Sequence, residues 1–208
     1  YQFQDFYGNV TFTGANGSSA KLFGFSFNDQ VNFQGVAEYD WNATGAGTEL
    51  LLLPSASSNT IKANFAFSSY DITEDRAGSP PRKSSISNFQ AGLDFNYYPG
   101  DDIIKYGLDI SGNRTNTEIT NQVCRTISQE QFTTRLAGFG RYKKKLGDLI
   151  IDPSLRVQLF ASFQEVRLEP RFSTKYNFTE NFRIKAAGGL YSQDLMSSRS
   201  ERDVVNLF

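Results

Sequence analysis

Apolar and polar residues alternate with a period of two along almost the whole chain. That pattern restricts it to β-strands with two chemically different faces. In residues 182–191, Phe182, Ile184, Ala186, Gly188 and Leu190 share one face, while Arg183, Lys185, Ala187, Gly189 and Tyr191 share the other. Phe172, Thr174, Tyr176 and Phe178 oppose Arg171, Ser173, Lys175 and Asn177 in the same way. Thr179-Glu180-Asn181 between the two runs predicts a tight turn, so together they read as a hairpin. The unit recurs. Leu149, Ile151, Leu155, Val157 and Leu159 oppose Asp152, Ser154, Arg156 and Gln158; Ile104, Tyr106, Leu108 and Ile110 oppose Lys105, Gly107 and Asp109. Phe89, Leu93, Phe95 and Tyr97 oppose Gln90, Asp94 and Asn96; Phe23, Phe25 and Phe27, read as an apolar face, oppose Gly24, Ser26 and Asn28.

Strands are predicted near residues 2–14, 19–33, 42–53, 59–73, 85–98, 103–118, 130–146, 149–165, 168–178 and 182–195. The connections alternate in length. Residues 15–18, 54–58, 99–101, 147–148 and 179–181 are short, 34–41, 74–84 and 119–129 are longer, and 166–167 breaks the rule. Short turns on one rim and longer loops on the other are the pattern of an outer-membrane barrel. The fold class expected is all-β: a membrane β-barrel of antiparallel up-and-down strands. No apolar run approaches the roughly 20 residues of a spanning helix. A barrel crosses without one, because only every second residue meets lipid.

A soluble β-sandwich has the same alternation, and three features weigh against it. The predicted strands exceed the usual 5–6 residues or so of globular sheets. Gly107, Gly138, Gly140 and Gly188 fall inside strands, where a sandwich would lose packing. Tyrosines crowd the turn rim at Tyr97, Tyr98, Tyr142 and Tyr176, as at a membrane–water interface.

Composition narrows the chemistry. Histidine is absent, which removes the usual general base and the commonest metal ligand. The single cysteine, Cys124, falls in the predicted 119–129 loop and has no thiol partner for a disulfide or a thiolate metal site. The net charge of −1 gives no global field for nucleic acid. No nucleophile constellation, cofactor motif or metal-ligand cluster stands out, so enzyme activity is not expected.

Residues 169–193 carry a more specific signal. They read Glu169-Pro170-Arg171, an alternating strand, Thr179-Glu180-Asn181, a basic alternating strand, and then Gly189-Leu190-Tyr191-Ser192-Gln193. This resembles the late-barrel hairpin of TonB-dependent receptors, and Arg202 to Phe208 is similar to the same family. Residues 1–168 resemble the middle of such barrels more diffusely. The resemblance implies about ten strands of a 22-stranded barrel, a single barrel-wall unit over residues 1–208, beginning and ending within it. No plug domain or TonB-contacting box is recognised in these 208 residues. It also implies import of a scarce nutrient: siderophore-bound iron, haem, cobalamin, an oligosaccharide or a peptide. The partners implied are outer-membrane lipid, the receptor's own plug and TonB, with a surface lipoprotein or a larger membrane complex as a further candidate. The alternative is a structural or translocon-associated barrel that holds protein partners. A protease or lipase barrel is a third reading, disfavoured by the missing histidine.

Candidate contacts follow. Tyr39 and Trp41 lie in or beside the predicted 34–41 loop. They read as an interfacial girdle first and as a ligand-stacking cluster second. Lys105, Asp109, Arg114, Arg135, Arg141, Arg156, Arg171, Lys175, Arg183 and Lys185 are expected to face the lumen. Arg114 and Arg135 lie nearest the extracellular side and are the best candidates for an anionic substrate.

Overall fold

A computed structural model of the chain describes residues 1–54, 58–120 and 125–192. Ten strands run in sequence order: β1 (Gln2–Thr13), β2 (Ser19–Phe33), β3 (Ala37–Leu52), β4 (Asn59–Arg76), β5 (Arg82–Tyr97), β6 (Ile103–Thr120), β7 (Thr126–Leu146), β8 (Leu149–Phe160), β9 (Glu165–Asn177) and β10 (Arg183–Gly189). Each is antiparallel to the next in one ten-stranded sheet, and β1 and β10 form its two edges. Cys124, residues 55–57 of the predicted 54–58 turn, and the closing segment from Gln193 to Phe208 lie outside the described residues.

The register fixes the faces. Leu93 pairs with Leu108, and Leu108 with Gly138, so the apolar positions of β5, β6 and β7 share one face. Leu108 is 67% exposed there. On the other face, Asp94 meets Lys105 across strands at 3.1 Å and Arg156 meets Asp109 at 2.8 Å. The buried side chains of the described residues, Tyr39, Ile72, Glu74, Gln158, Phe160 and Glu169 among them, lie on this second face. A curled sheet crowds the side chains of its concave face and spreads those of its convex face. The polar face is therefore concave, the lumen side of a barrel, and the apolar face is the outside.

The outer face is apolar over only part of each strand. On β6, Ile104, Tyr106, Leu108 and Ile110 give way to Arg114, Asn116 and Glu118; on β4, Phe65 and Phe67 give way to Asp71, Thr73 and Asp75. The apolar stretch, residues 104–112 on β6, matches the roughly 9–11 residues that a tilted strand needs to cross lipid. The remainder projects beyond the membrane, on the rim away from the tight turns.

That projection corrects the loop prediction. Within the described residues, strand takes up 37–41, 74–76, 82–84, 119–120 and 126–129 of these predicted loops, and the first two connections shrink to 34–36 and 77–81. The residues read as loop are strands standing in water on both faces, where alternation loses its contrast. At the turn rim, Gly147 takes φ 61° in the two-residue link between β7 and β8, a conformation that suits glycine.

Candidate functional site

The concave wall divides in two. Across β5–β9 it is ionic. Lys105 pairs with Asp94, Arg156 with Asp109, Arg141 with Asp152, and Arg171 with Glu169 at 2.6 Å. These groups line an open cavity of about 530 Å³ that reaches from Asn64 on β4 to Ala187 on β10. Four of the cations expected on the lumen face, Lys105, Arg141, Arg156 and Arg171, are thus neutralised within the wall itself.

Glu169 is the most heavily bonded of these acids, with 2% of its side chain exposed. It accepts from the Ser192 backbone N–H at 2.8 Å, from the Ser192 hydroxyl, from the Gln158 amide and from Arg171. The Arg171 guanidinium sits 4.4 Å from the Tyr191 ring centroid. The Glu-Pro-Arg and Tyr-Ser elements recognised in the sequence therefore meet, pinning the chain after β10 to β8 and β9.

Across β1–β4 the wall is aromatic. Tyr39 and Trp41 stack at 5.7 Å between centroids, and Phe33 meets Tyr39 edge-on at 6.1 Å. Tyr39 is 6% exposed, packs with Ala37 and Ile72, and donates to Glu74 at 3.2 Å. Arg76 bonds both Glu74 and the Tyr39 hydroxyl. The Tyr39 hydroxyl and, next, the Glu74 charge hold the Arg76 guanidinium above its ordinary pKa. Register places Tyr39 and Trp41 opposite Glu74 and Ile72, on the concave face. The girdle reading is thereby replaced: these rings face the lumen.

Phe23, Phe25 and Phe27 also face inward, contrary to the reading of that run as a lipid face. Their partners are Gly47, Gly45 and Ala43, which lie on the same face of β3 as Trp41 and Tyr39. Outward, the same stretch shows mostly small residues, Gly24, Ser26, Thr44, Ala46 and Thr48, with Leu22 at its end.

The two arginines part company. Arg135 pairs with Ser111 and Phe160 on the concave face, on β7, far across the sheet from Trp41. Arg114 pairs with Ser87 and Phe132 on the outer face, just beyond the apolar stretch. There it forms an ion pair with Glu130 at 2.5 Å and lies 5.1 Å from the Phe132 ring centroid. Arg114 does not face the lumen, because beyond the lipid the outer face carries charge as readily as the inner one. Among the described residues no group of acids could hold a metal ion.

No family model and no curated protein matches the chain. Solved structures do. The hemophore receptor HasR of Serratia marcescens, solved with its hemophore HasA and heme, superposes with a TM-score of 0.77 at 11% identity, over 90% of this chain and 35% of that one. The alcaligin receptor FauA of Bordetella pertussis gives 0.67 at 11% identity, over 89% and 34%. The outer membrane transporter YddB of Escherichia coli gives 0.65 at 9% identity, over 91% and 32%. The chain thus spans about a third of the length of these neighbours. With its unclosed run of antiparallel strands and its apolar outer stretch, it has the fold of an outer-membrane β-barrel wall of the TonB-dependent receptor type.

Proposed function

We propose that the chain forms part of the barrel wall of an outer-membrane receptor that imports a scarce nutrient, with energy delivered through TonB to a plug domain. The observation that carries this reading is the division of the outer face. A lipid-height apolar stretch is continued by a polar wall standing clear of the membrane, a form suited to capturing ligands outside the cell. The ionic lumen wall, with four of its cations paired to neighbouring acids, suits a barrel lined with solvent and protein. Tyr39, Trp41 and Arg135 are the candidate ligand contacts; Arg114 would act from the outer surface. The wall performs no covalent chemistry in this reading.

Deleting the gene for the whole receptor tests it. Growth should fail on one scarce source among ferric siderophores, haem, cobalamin and oligosaccharides, and the same growth should fail when TonB is removed. If growth is unchanged on all of these while a protein partner is lost from the outer membrane, the barrel is a structural scaffold instead.

A further inference from the structure

The aromatic half of the lumen wall is more ordered than a general apolar patch. Phe23, Phe25 and Phe27 on β2 and Trp41, Tyr39 and Phe33 on the upper part of the β2–β3 pair follow one another from the turn rim to the projecting rim. Phe25 and Phe27 lie 5.1 Å apart between centroids. Phe27 pairs with Ala43 and Trp41 with Asp29, so Phe27 and Trp41 are diagonal neighbours on one face. The wall is shaped to seat these rings. A Cβ added to Gly45 would lie 2.6 Å from the Phe25 ring, and one added to Gly47 would lie 2.7 Å from the Phe23 ring.

Hydrogen-bonding side chains stand beside the file at regular register. Asn9 is directly opposite Phe23, Asp5 is opposite Phe27, and Asp29 is opposite Trp41. Among the described residues, neither Asp5 nor Asp29 has an ion-pair partner. Of the lysines nearby, Lys62 pairs with Glu49 at 2.9 Å, and Lys21 lies opposite the same carboxylate in register. Two uncompensated carboxylates beside the rings repel an anionic ligand, which argues against ferric catecholates, ferric citrate and haem propionates. They accept hydrogen bonds from hydroxyl groups, and an amide beside them both accepts and donates. Aromatic rings meanwhile bury apolar C–H surface.

A ligand matching this strip has apolar ring faces, an uncharged rim of hydroxyls, and a linear repeat. We propose that the lumen face of β1–β4 binds a neutral oligosaccharide in extended form. Phe23, Phe25, Phe27 and Trp41 contact the sugar faces, and Asp5, Asn9 and Asp29 bond the hydroxyls. The proposal rests on the importer reading only in requiring that a ligand path run along this wall.

The test uses the full-length receptor in detergent. Maltohexaose, cellohexaose and xylohexaose, with their disaccharides, are titrated by calorimetry. One hexasaccharide binds, and more tightly than its disaccharide. Phe27→Ala and Asp29→Ala each weaken it about five- to tenfold. Phe65→Ala, a ring removed from the outer face, leaves binding unchanged and controls for folding. The Trp emission difference between the parent and Trp41→Phe shifts on sugar addition. Failure of every hexasaccharide to bind at millimolar concentration, with ferric citrate or haem binding instead, overturns the sugar assignment and leaves the importer reading standing. Failure of both sugars and chelates, together with unchanged growth on deletion, overturns both. A third result also overturns the proposal: Phe27→Ala exposes a protease-protected segment of the full chain while sugar binding is unaltered. The strip would then be a protein-docking face.

Discussion

Asp102 shows how single residues hold the turn rim together. Its carboxylate accepts from the Lys145 backbone N–H at 3.1 Å and from the Tyr142 hydroxyl at 2.8 Å, and Lys144 lies 3.7 Å away. These donors, the Lys145 N–H first, hold its pKa below the usual carboxylate value. A depressed folded-state pKa contributes stability that is present above the unfolded value, about 3.9, and lost as pH falls through the lower folded value. Asp102→Asn in the full-length receptor should therefore unfold at a lower urea midpoint than the parent at neutral pH. The gap should close as pH falls below about 4. A gap of the same size in strong acid would assign the loss to shape instead of charge. At this scale the sequence was readable where chemistry repeats and misleading where it does not. Phe23, Phe25 and Phe27 look like lipid-facing residues beside Gly24, Ser26 and Asn28. Their true side depends on registry with Gly45 and Gly47, about twenty residues away in sequence. Arg114 looks like a lumen charge only if the outer face is assumed to be apolar along its whole length. The Glu169 cluster was visible as a motif, but its meaning, four donors converging on one acid, needs three separate segments brought together.

At the scale of elements, strand identity was the most legible feature, and all ten predicted strands are present with shifted ends. The ends moved outward mainly at the projecting rim: β3 starts at Ala37 instead of residue 42, and β7 at Thr126 instead of residue 130. Both faces meet water there, and strand sequence no longer alternates. On β5 and β6, where one face meets lipid, the alternation is regular, and it makes a sharp prediction. Leu108 on the outer face and Gln90 on the lumen face lie on neighbouring strands within the apolar stretch. Leu108→Arg should cost about 2–4 kcal/mol of folding stability in lipid, because the midplane cannot solvate the charge. Gln90→Arg should cost far less, since that side chain lines the open cavity. Refolding titrations of the two variants of the full receptor decide it, and equal costs would reverse the face assignment. The same argument does not extend to every lumen position. Gln158 is 3% exposed and bonds Glu169, so an arginine there would disrupt the cluster.

At the scale of the whole molecule, the sheet is a curved wall whose edges, among the described residues, are β1 and β10, each paired on one side. In lipid an unpaired backbone N–H or C=O costs several kcal/mol, because no water is present to bond it. Closure by bending β1 onto β10 would need a tilt and stagger proper to ten strands, whereas curvature follows from the strand number of the barrel the sheet belongs to. The neighbours it superposes on are each about three times its length. The ion pairs across β6–β9 and the Glu169 cluster tie neighbouring strands together on the lumen side of this wall. Residues 1–208 expressed alone should therefore neither insert stably nor run as a heat-modifiable band. They should associate through the exposed strand edges. Adding the rest of the receptor chain should restore a monodisperse, heat-modifiable barrel. Purification of the 208 residues in detergent gives the answer. A monomer with a heat-stable β-sheet signal would mean that β1 and β10 find each other, and the lumen would then be far narrower than one that leaves the aromatic file open to an oligosaccharide.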